Sequence, residues 1–167
     1  MDAARIPRLY TIGAYGFDAE DFFAALQGAG IDLFCDIRLR RGMRGATYAF
    51  ANSQRLQARL AELGIRYLHR PDLAPSRDLR ARQEAADRAA GIGKRQRTAL
   101  GATFRAGYES EVLAELDSAA LLAELQPARR IVFFCVEGHP DACHRSLLAA
   151  RLTRDLQLEV HHIEMCK

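Results

Sequence analysis

Three consecutive residues, Cys143, His144 and Arg145, place a thiol, an imidazole and a guanidinium side by side. A thiol beside a cation can act as a nucleophile, an imidazole can move a proton, and a guanidinium can grip a phosphate or carboxylate. Glu137, a little earlier in the chain, adds a carboxylate that can serve as a base. These residue types predict a site where Cys143, His144 and Glu137 are catalytic and Arg145 holds an anion.

The sequence around these residues predicts a strand, a polar turn and a helix. Residues 131–136 form a continuous apolar run rich in β-branched and aromatic side chains, which is typical of a strand covered on both faces in a parallel sheet. Gly138 and Pro140 break this run, and Asp141 is the predicted helix N-cap. The three residues then fall in the first helical turn, where unpaired N–H groups and the helix dipole favour an anion.

The rest of the chain repeats this alternation of strands and helices. Further strands are predicted at residues 8–12, 31–38, 65–69 and 158–165. A highly charged helix at residues 77–90 is predicted to be solvated and peripheral, and a longer helical region covers residues 97–126 with a break near Asp117 and Ser118. The alternation predicts one α/β domain over residues 1–167, with three layers: a mostly parallel sheet of about five strands and helices on both faces.

In such a sheet, ligands bind beyond the carboxyl ends of the strands. The loops after the strands are therefore predicted to bring Arg38 close to Arg145, so that the two guanidinium groups hold the anion together. Asp36 or Glu137 would orient these arginines. The predicted ligand-binding residues are Arg145, Arg38, Asp36, Thr11 and Gly13.

The run Cys135-Val-Glu137, a short polar loop and Cys143-His-Arg145 together resemble the hallmark of the domain of unknown function 488 family. Other segments fit the same family in the same order: Tyr10-Thr-Ile-Gly13, Asp36-Ile-Arg38, Leu73-Ala-Pro-Ser76 and Val160-His-His-Ile163. The resemblance covers nearly the whole chain. It implies an α/β fold with a site at these motifs, and it implies no particular activity.

Two other chemistries compete for the same residues. Residue types that bind zinc are close together in sequence, and one more lies on a neighbouring strand: Cys135, Glu137, His139, Cys143, His144 and Cys35. No recognised zinc spacing accompanies them, so the sequence predicts no metal and no other cofactor. Covalent catalysis by cysteine is also disfavoured, because thiol phosphatases and rhodanese-like enzymes place the arginine about five residues after the reactive cysteine.

Composition limits the partners. The net charge of +3 and the charged fraction of 27% are those of an ordinary soluble protein, and no apolar run is long enough to span a bilayer. A cytoplasmic protein without a membrane partner is predicted. Two basic segments, residues 38–44 and 94–97, could contact a phosphate backbone, with Tyr48 and Phe50 stacking on bases.

The leading prediction is therefore a pocket that binds, and in its catalytic form hydrolyses, a phosphate-bearing ligand such as a nucleotide or nucleic acid. The alternative is a non-catalytic module in which the Cys-His-Arg turn, or a zinc ion bound there, stabilises the fold. The sequence leaves open whether the protein is an enzyme and what its oligomeric state is.

Overall fold

A computed structural model describes residues 6–93 and 95–165 of the chain. The described residues form one sheet of five strands in the order β3-β2-β4-β1-β5, and every neighbouring pair is parallel. The strands are β1 (Arg8–Gly13), β2 (Leu33–Asp36), β3 (Arg66–His69), β4 (Arg130–Cys135) and β5 (Val160–Ile163). The predicted parallel sheet of about five strands is confirmed.

The central strand β4 lies between β2 and β1. Successive side chains of a strand point to opposite faces, so Ile131 and Phe133 pack into one core while Val132 and Phe134 pack into the other. All four side chains are almost fully buried. Burial on both faces is the reason for the continuous apolar run in the sequence.

Helices cover both faces of the sheet and complete the predicted three layers. They are α1 (Ala19–Gly28), α2 (Ser53–Glu62), α3 (Arg77–Ala89), α4 (Ala102–Glu111), α5 (Ser118–Glu124) and α6 (His144–Leu156). Phe22 of α1 and Leu56 of α2 pack on the face of Phe134. Phe104 of α4 and Leu148 of α6 pack on the face of Phe133. None of the described helices is both long enough and apolar enough to cross a membrane.

One predicted helix break is confirmed, and one predicted N-cap is wrong. The region 97–126 contains two helices, α4 and α5, separated by a 3-10 turn at Leu113–Glu115. The predicted break is confirmed, because Asp117 caps α5 by accepting from the N–H of Ala120 at 3.0 Å. At α6 the N-cap is Cys143 and not Asp141, since the Cys143 sulfur accepts from the N–H of Arg145. Asp141 lies in the preceding 3-10 turn, Pro140–Ala142.

The composition of α3 predicted a solvated helix, but one face of this helix is buried. Leu79, Gln83 and Asp87 recur every four residues and are all buried. The amide of Gln83 donates to Asp87 at 2.9 Å and accepts from the backbone N–H of Gly101 at 2.9 Å. The buried face of this helix is polar and hydrogen-bonded, so apolar spacing alone does not reveal it.

Candidate functional site

A cavity of about 540 Å³ opens at the carboxyl ends of β2 and β4. Its walls come from the loop after β2, from α3, from the segment before α4, and from the connection between β4 and α6. This volume is within the usual range for small-molecule sites. Its charged lining residues among those described are Arg38, Arg40, Arg44, Arg80, Arg95, Arg97, Glu84 and Glu137. Six arginines against two glutamates give the cavity a positive wall.

The floor of the cavity carries two thiols and one imidazole. Cys135 ends β4, Cys143 caps α6, and His144 begins that helix. The Nε2 atom of His144 lies 3.1 Å from the carbonyl oxygen of Ile37, which can only accept, so Nε2 carries the hydrogen in the neutral ring. The lone pair on Nδ1 therefore faces the Cys135 sulfur at 3.8 Å and the Cys143 sulfur at 3.6 Å.

Glu137 connects this floor to the cavity wall. One carboxylate oxygen accepts from the thiol of Cys135 at 3.2 Å, and the other pairs with Arg97 at 3.2 Å. Arg97 also pairs with Asp87 of α3 at 2.7 Å. A continuous polar network therefore runs from α3 to the end of β4, and it fixes the position of the Glu137 carboxylate.

The buried network shifts the ionisation of its members. Burial alone would raise the pKa of Glu137, but the Cys135 thiol and Arg97 outweigh it and lower that pKa. The neighbouring Cys143 sulfur, followed by burial, raises the pKa of Cys135 well above its ordinary value. Burial would lower the pKa of His144, but Cys135 and Glu137 outweigh it and raise that pKa.

Arg38 is the most buried arginine of the cavity lining, with 4% of its surface exposed. Its Nε and one terminal nitrogen donate hydrogen bonds to the two carboxylate oxygens of Asp36, at 2.9 and 2.8 Å. The other terminal nitrogen, Nη1, is buried and has no hydrogen-bond partner among the described residues. Buried polar groups are normally paired, so this donor is suited to a ligand oxygen.

Arg145 lies in a different place, because its side chain is fully buried and does not line the cavity. Its nitrogens donate to the carbonyl oxygens of Glu137 and Gly138 and, at 3.2 Å, to the hydroxyl of Thr11. The Thr11 hydroxyl also forms a hydrogen bond with Nδ1 of His162 at 2.6 Å. Burial, followed by the charge of Arg145, lowers the pKa of His162.

Gly13 supports the same arrangement. A Cβ at this position would collide with the carbonyl oxygen of Glu137 and would lie 2.8 Å from a terminal nitrogen of Arg145. The end of β1 can therefore approach the β4–α6 connection only if position 13 lacks a side chain.

The predicted site residues thus separate into two groups. Arg38, Glu137, Cys143 and His144 line the cavity, and Thr11, Gly13, Asp36 and Arg145 do not. Asp36 does orient an arginine, as predicted, since it holds Arg38.

Residues 18–152 match the family described as domain of unknown function DUF488. The chain belongs to this family. The match confirms the predicted family, and the matched range includes the Cys-x-Glu and Cys-His-Arg segments. Comparisons with curated proteins and with solved structures gave no match.

Arg80 of α3 lines the cavity of this DUF488 protein and was outside every predicted site. Arg95 also lines the cavity and belongs to the predicted basic segment 94–97; its guanidinium lies over the rings of Tyr15 and Tyr48, 5.3 and 5.0 Å from their centres. The buried positions of α3 gave no apolar signal, because Gln83 and Asp87 are polar.

Other predicted contacts lie elsewhere in the DUF488 protein. Tyr48 is buried, and Phe50 packs against Phe22 with ring centres 5.2 Å apart, so neither presents the predicted face for bases. Two of the zinc-competent residues stand apart from the floor. His139 accepts from the N–H of Asp141, and Cys35 is buried in the sheet with its pKa raised to about 12 by burial.

Proposed function

We propose that this DUF488 protein binds a phosphate-bearing small molecule, such as a nucleotide, in the cavity at the ends of β2 and β4. The observation that carries the proposal is that Nη1 of Arg38, buried in the wall of an arginine-lined cavity, has no hydrogen-bond partner among the described residues. A buried donor without a partner costs about 1–3 kcal/mol, and a phosphate oxygen would remove that cost.

The setting of Arg38 suits this task. Asp36 holds the guanidinium through two hydrogen bonds, and the ring of Phe134 lies below it, 4.7 Å from the central carbon. The side chain is therefore already ordered, and binding would cost little conformational entropy. Because the other nitrogens are committed to Asp36, Nη1 is the nitrogen that we expect to meet the ligand, and it must first become exposed because it is closed to solvent.

The outer wall adds positive charge to the cavity. Among the described residues no carboxylate lies within ion-pair distance of four of these side chains, those of Arg40, Arg44, Arg80 and Arg95. Arginine is the residue best shaped for phosphate. The enclosed volume and the buried position of Tyr48 favour a small ligand over a nucleic-acid strand.

Hydrolysis of the bound ligand is the catalytic form of this proposal. Glu137, Cys143 and His144 share the cavity with the arginines. Glu137 is ionised near neutral pH and so could take a proton from attacking water, but its lowered pKa makes it a weaker base than an ordinary carboxylate. Two results would establish this step: wild type releases inorganic phosphate from the bound ligand, and Glu137→Gln does not.

The binding proposal is tested by melting temperature. Untagged, metal-free wild type, Arg80→Ala and Arg82→Ala are melted with phosphate, sulfate and a panel of nucleotides at constant ionic strength. Arg80 lines the cavity, whereas Arg82, on the same helix, is exposed and pairs with Asp78 at 3.0 Å. A ligand at a hundred times its dissociation constant stabilises the folded state by about 2.7 kcal/mol.

We expect the ligand to raise the melting temperature of wild type and of Arg82→Ala. At the same ligand concentration, the melting temperature of Arg80→Ala should rise by less. Equal increases in the melting temperatures of all three proteins would exclude the cavity as the binding site. Absence of any shift in wild type would reject this class of ligand.

A further inference from the structure

The geometry points to a metal site on the cavity floor: we propose that Cys135, Cys143 and His144 bind one divalent ion of the zinc class. The ligand atoms are the two sulfurs and Nδ1 of the imidazole, and all three lie within 4.8 Å of one another. These ligands follow no recognised zinc spacing, so the sequence supports zinc here only as an alternative and not as the leading prediction. The site is created by the turn that brings the end of β4 back to the start of α6.

The distances fit a tetrahedral ion. Zinc binds thiolate sulfur at about 2.3 Å and imidazole nitrogen at about 2.0–2.1 Å, so neighbouring sulfur and nitrogen ligands are about 3.6 Å apart. Nδ1 of His144 lies 3.6 Å from the Cys143 sulfur and 3.8 Å from the Cys135 sulfur. Both sulfur–nitrogen distances therefore match the spacing that a bound ion imposes, and the two sulfurs lie within 4.8 Å of each other.

The surroundings of the ligands match those of metal sites. The carbonyl of Ile37 accepts from Nε2 of His144 at 3.1 Å, which fixes the tautomer and turns the lone pair of Nδ1 toward the sulfurs. A backbone acceptor behind the ring is the usual partner of a metal-binding histidine. The backbone N–H of Arg145 points at the Cys143 sulfur, 3.5 Å away, and would support a thiolate there.

The ligand types select the ion. Two thiolates and an imidazole prefer zinc or a similar transition metal over magnesium and calcium, which prefer oxygen. On binding, the ion displaces the protons of both thiols, and the two thiolate charges balance the dication in this buried place. Three protein ligands leave a fourth tetrahedral position for water or a ligand, and all three residues line the cavity, which gives the ion its route in.

A lone nucleophilic cysteine explains the arrangement less well. A nucleophile needs one thiol and one base, whereas here the imidazole faces both sulfurs at similar distances. A disulfide between the two cysteines would use both thiols, and reducing conditions remove it.

The metal site does not depend on the phosphate proposal, because its ligands lie on the cavity floor and not on the arginine-lined wall.

The test is a cobalt titration of untagged wild type that has been stripped of metal and kept reduced. Cobalt takes the same ligands as zinc, and its absorption reports thiolate bonds and tetrahedral geometry. We expect thiolate-to-cobalt charge transfer that saturates at one equivalent and disappears when zinc is added. Cys143→Ala should lose this absorption, and Cys35→Ala should keep it, because Cys35 is a buried cysteine outside the cluster.

Reduced wild type without cobalt–thiolate absorption would overturn the metal site, and so would an unchanged titration in Cys143→Ala. The wild-type titration decides the question even if the variant fails to fold. Since the phosphate panel is run on metal-free protein, either proposal can fail while the other stands.

Discussion

The Nε of Arg145 donates a 3.2 Å hydrogen bond to the hydroxyl of Thr11, which lies 134 residues earlier in the chain. The remaining nitrogens of the same guanidinium donate to the carbonyl oxygens of Glu137 and Gly138. Arg145 thereby joins β1 to the connection that carries the floor of the cavity. Its donors are engaged by the protein, and those of Arg38 are not all engaged.

Replacing Arg145 by methionine should cost stability first. The change leaves two carbonyl oxygens and the Thr11 hydroxyl without their donor, so we expect the free energy of unfolding to fall by about 3–5 kcal/mol. Urea denaturation measures this loss. Arg154→Met is the matched control, because Arg154 lies on the same helix, is 67% exposed, and should change stability by less than about 0.5 kcal/mol. An Arg145→Met protein of normal stability that no longer responds to phosphate would instead make Arg145 a ligand-binding residue.

Gly13→Ala should destabilise the protein although it adds only one methyl group. The new Cβ would collide with the backbone of Glu137, which cannot move without shifting the cavity floor. We expect a loss of about 1–3 kcal/mol, the usual cost of overpacking. Gly28→Ala is the control, since nothing lies within 4 Å of a Cβ at that position and the change should be neutral or stabilising. Equal melting temperatures for the two variants would contradict the close approach at Gly13.

Arg38 and Asp36 should behave as a coupled pair. Arg38→Met leaves the fully buried carboxylate of Asp36 with only the hydroxyl of Tyr67 as a side-chain partner, at 2.7 Å. We expect about 3–5 kcal/mol of destabilisation. The double variant Asp36→Leu/Arg38→Met should lose less than the sum of the two single changes, by about 0.5–3 kcal/mol in a double-mutant cycle. Additive losses would show that the two side chains act independently.

The salt dependence of the binding affinity should distinguish a small ligand from a nucleic-acid strand. A protein that follows a strand through 6–10 phosphate contacts loses about a thousandfold or more in affinity between 50 and 200 mM salt. We expect the ligand found in the melting panel to lose much less, because the buried Arg38 is poorly screened. Titrations of that ligand and of a single-stranded oligonucleotide at the two salt concentrations measure the difference. A steep loss for both would favour binding along the protein surface.

Cys35 should resist alkylation in the native protein at pH 8. Burial raises its pKa to about 12, so the thiol remains protonated below that pH, and only the thiolate reacts. Its sulfur is also inaccessible, since the residue is fully buried. Iodoacetamide labelling resolved by peptide mass spectrometry, with and without urea, measures this protection. Rapid labelling of Cys35 without urea would contradict its burial.

The sequence by itself determined the layers of the fold. The apolar run before Glu137 predicts a strand buried on both faces, and the alternation with amphipathic segments predicts a parallel sheet covered by helices. The cap of α1 is equally local, since Asp18 accepts from the N–H of Asp21 at 2.8 Å. Such features are local, because strand and helix periodicity and N-caps depend on residues a few positions apart.

The structure alone decided which charged residues are available to a ligand. In sequence, Arg38, Arg97 and Arg145 are equivalent cations, yet Arg145 is committed to carbonyl groups and Arg97 to two carboxylates. Only Arg38 keeps a buried donor without a partner among the described residues. The partners of each guanidinium come from strands and loops far apart in the chain, so hydrogen-bond satisfaction is a property of the assembled sheet and cannot be read from local pattern. The same reason applies to the six zinc-competent residues of the sequence, because only the turn between β4 and α6 shows that Cys135, Cys143 and His144 are the three that come together.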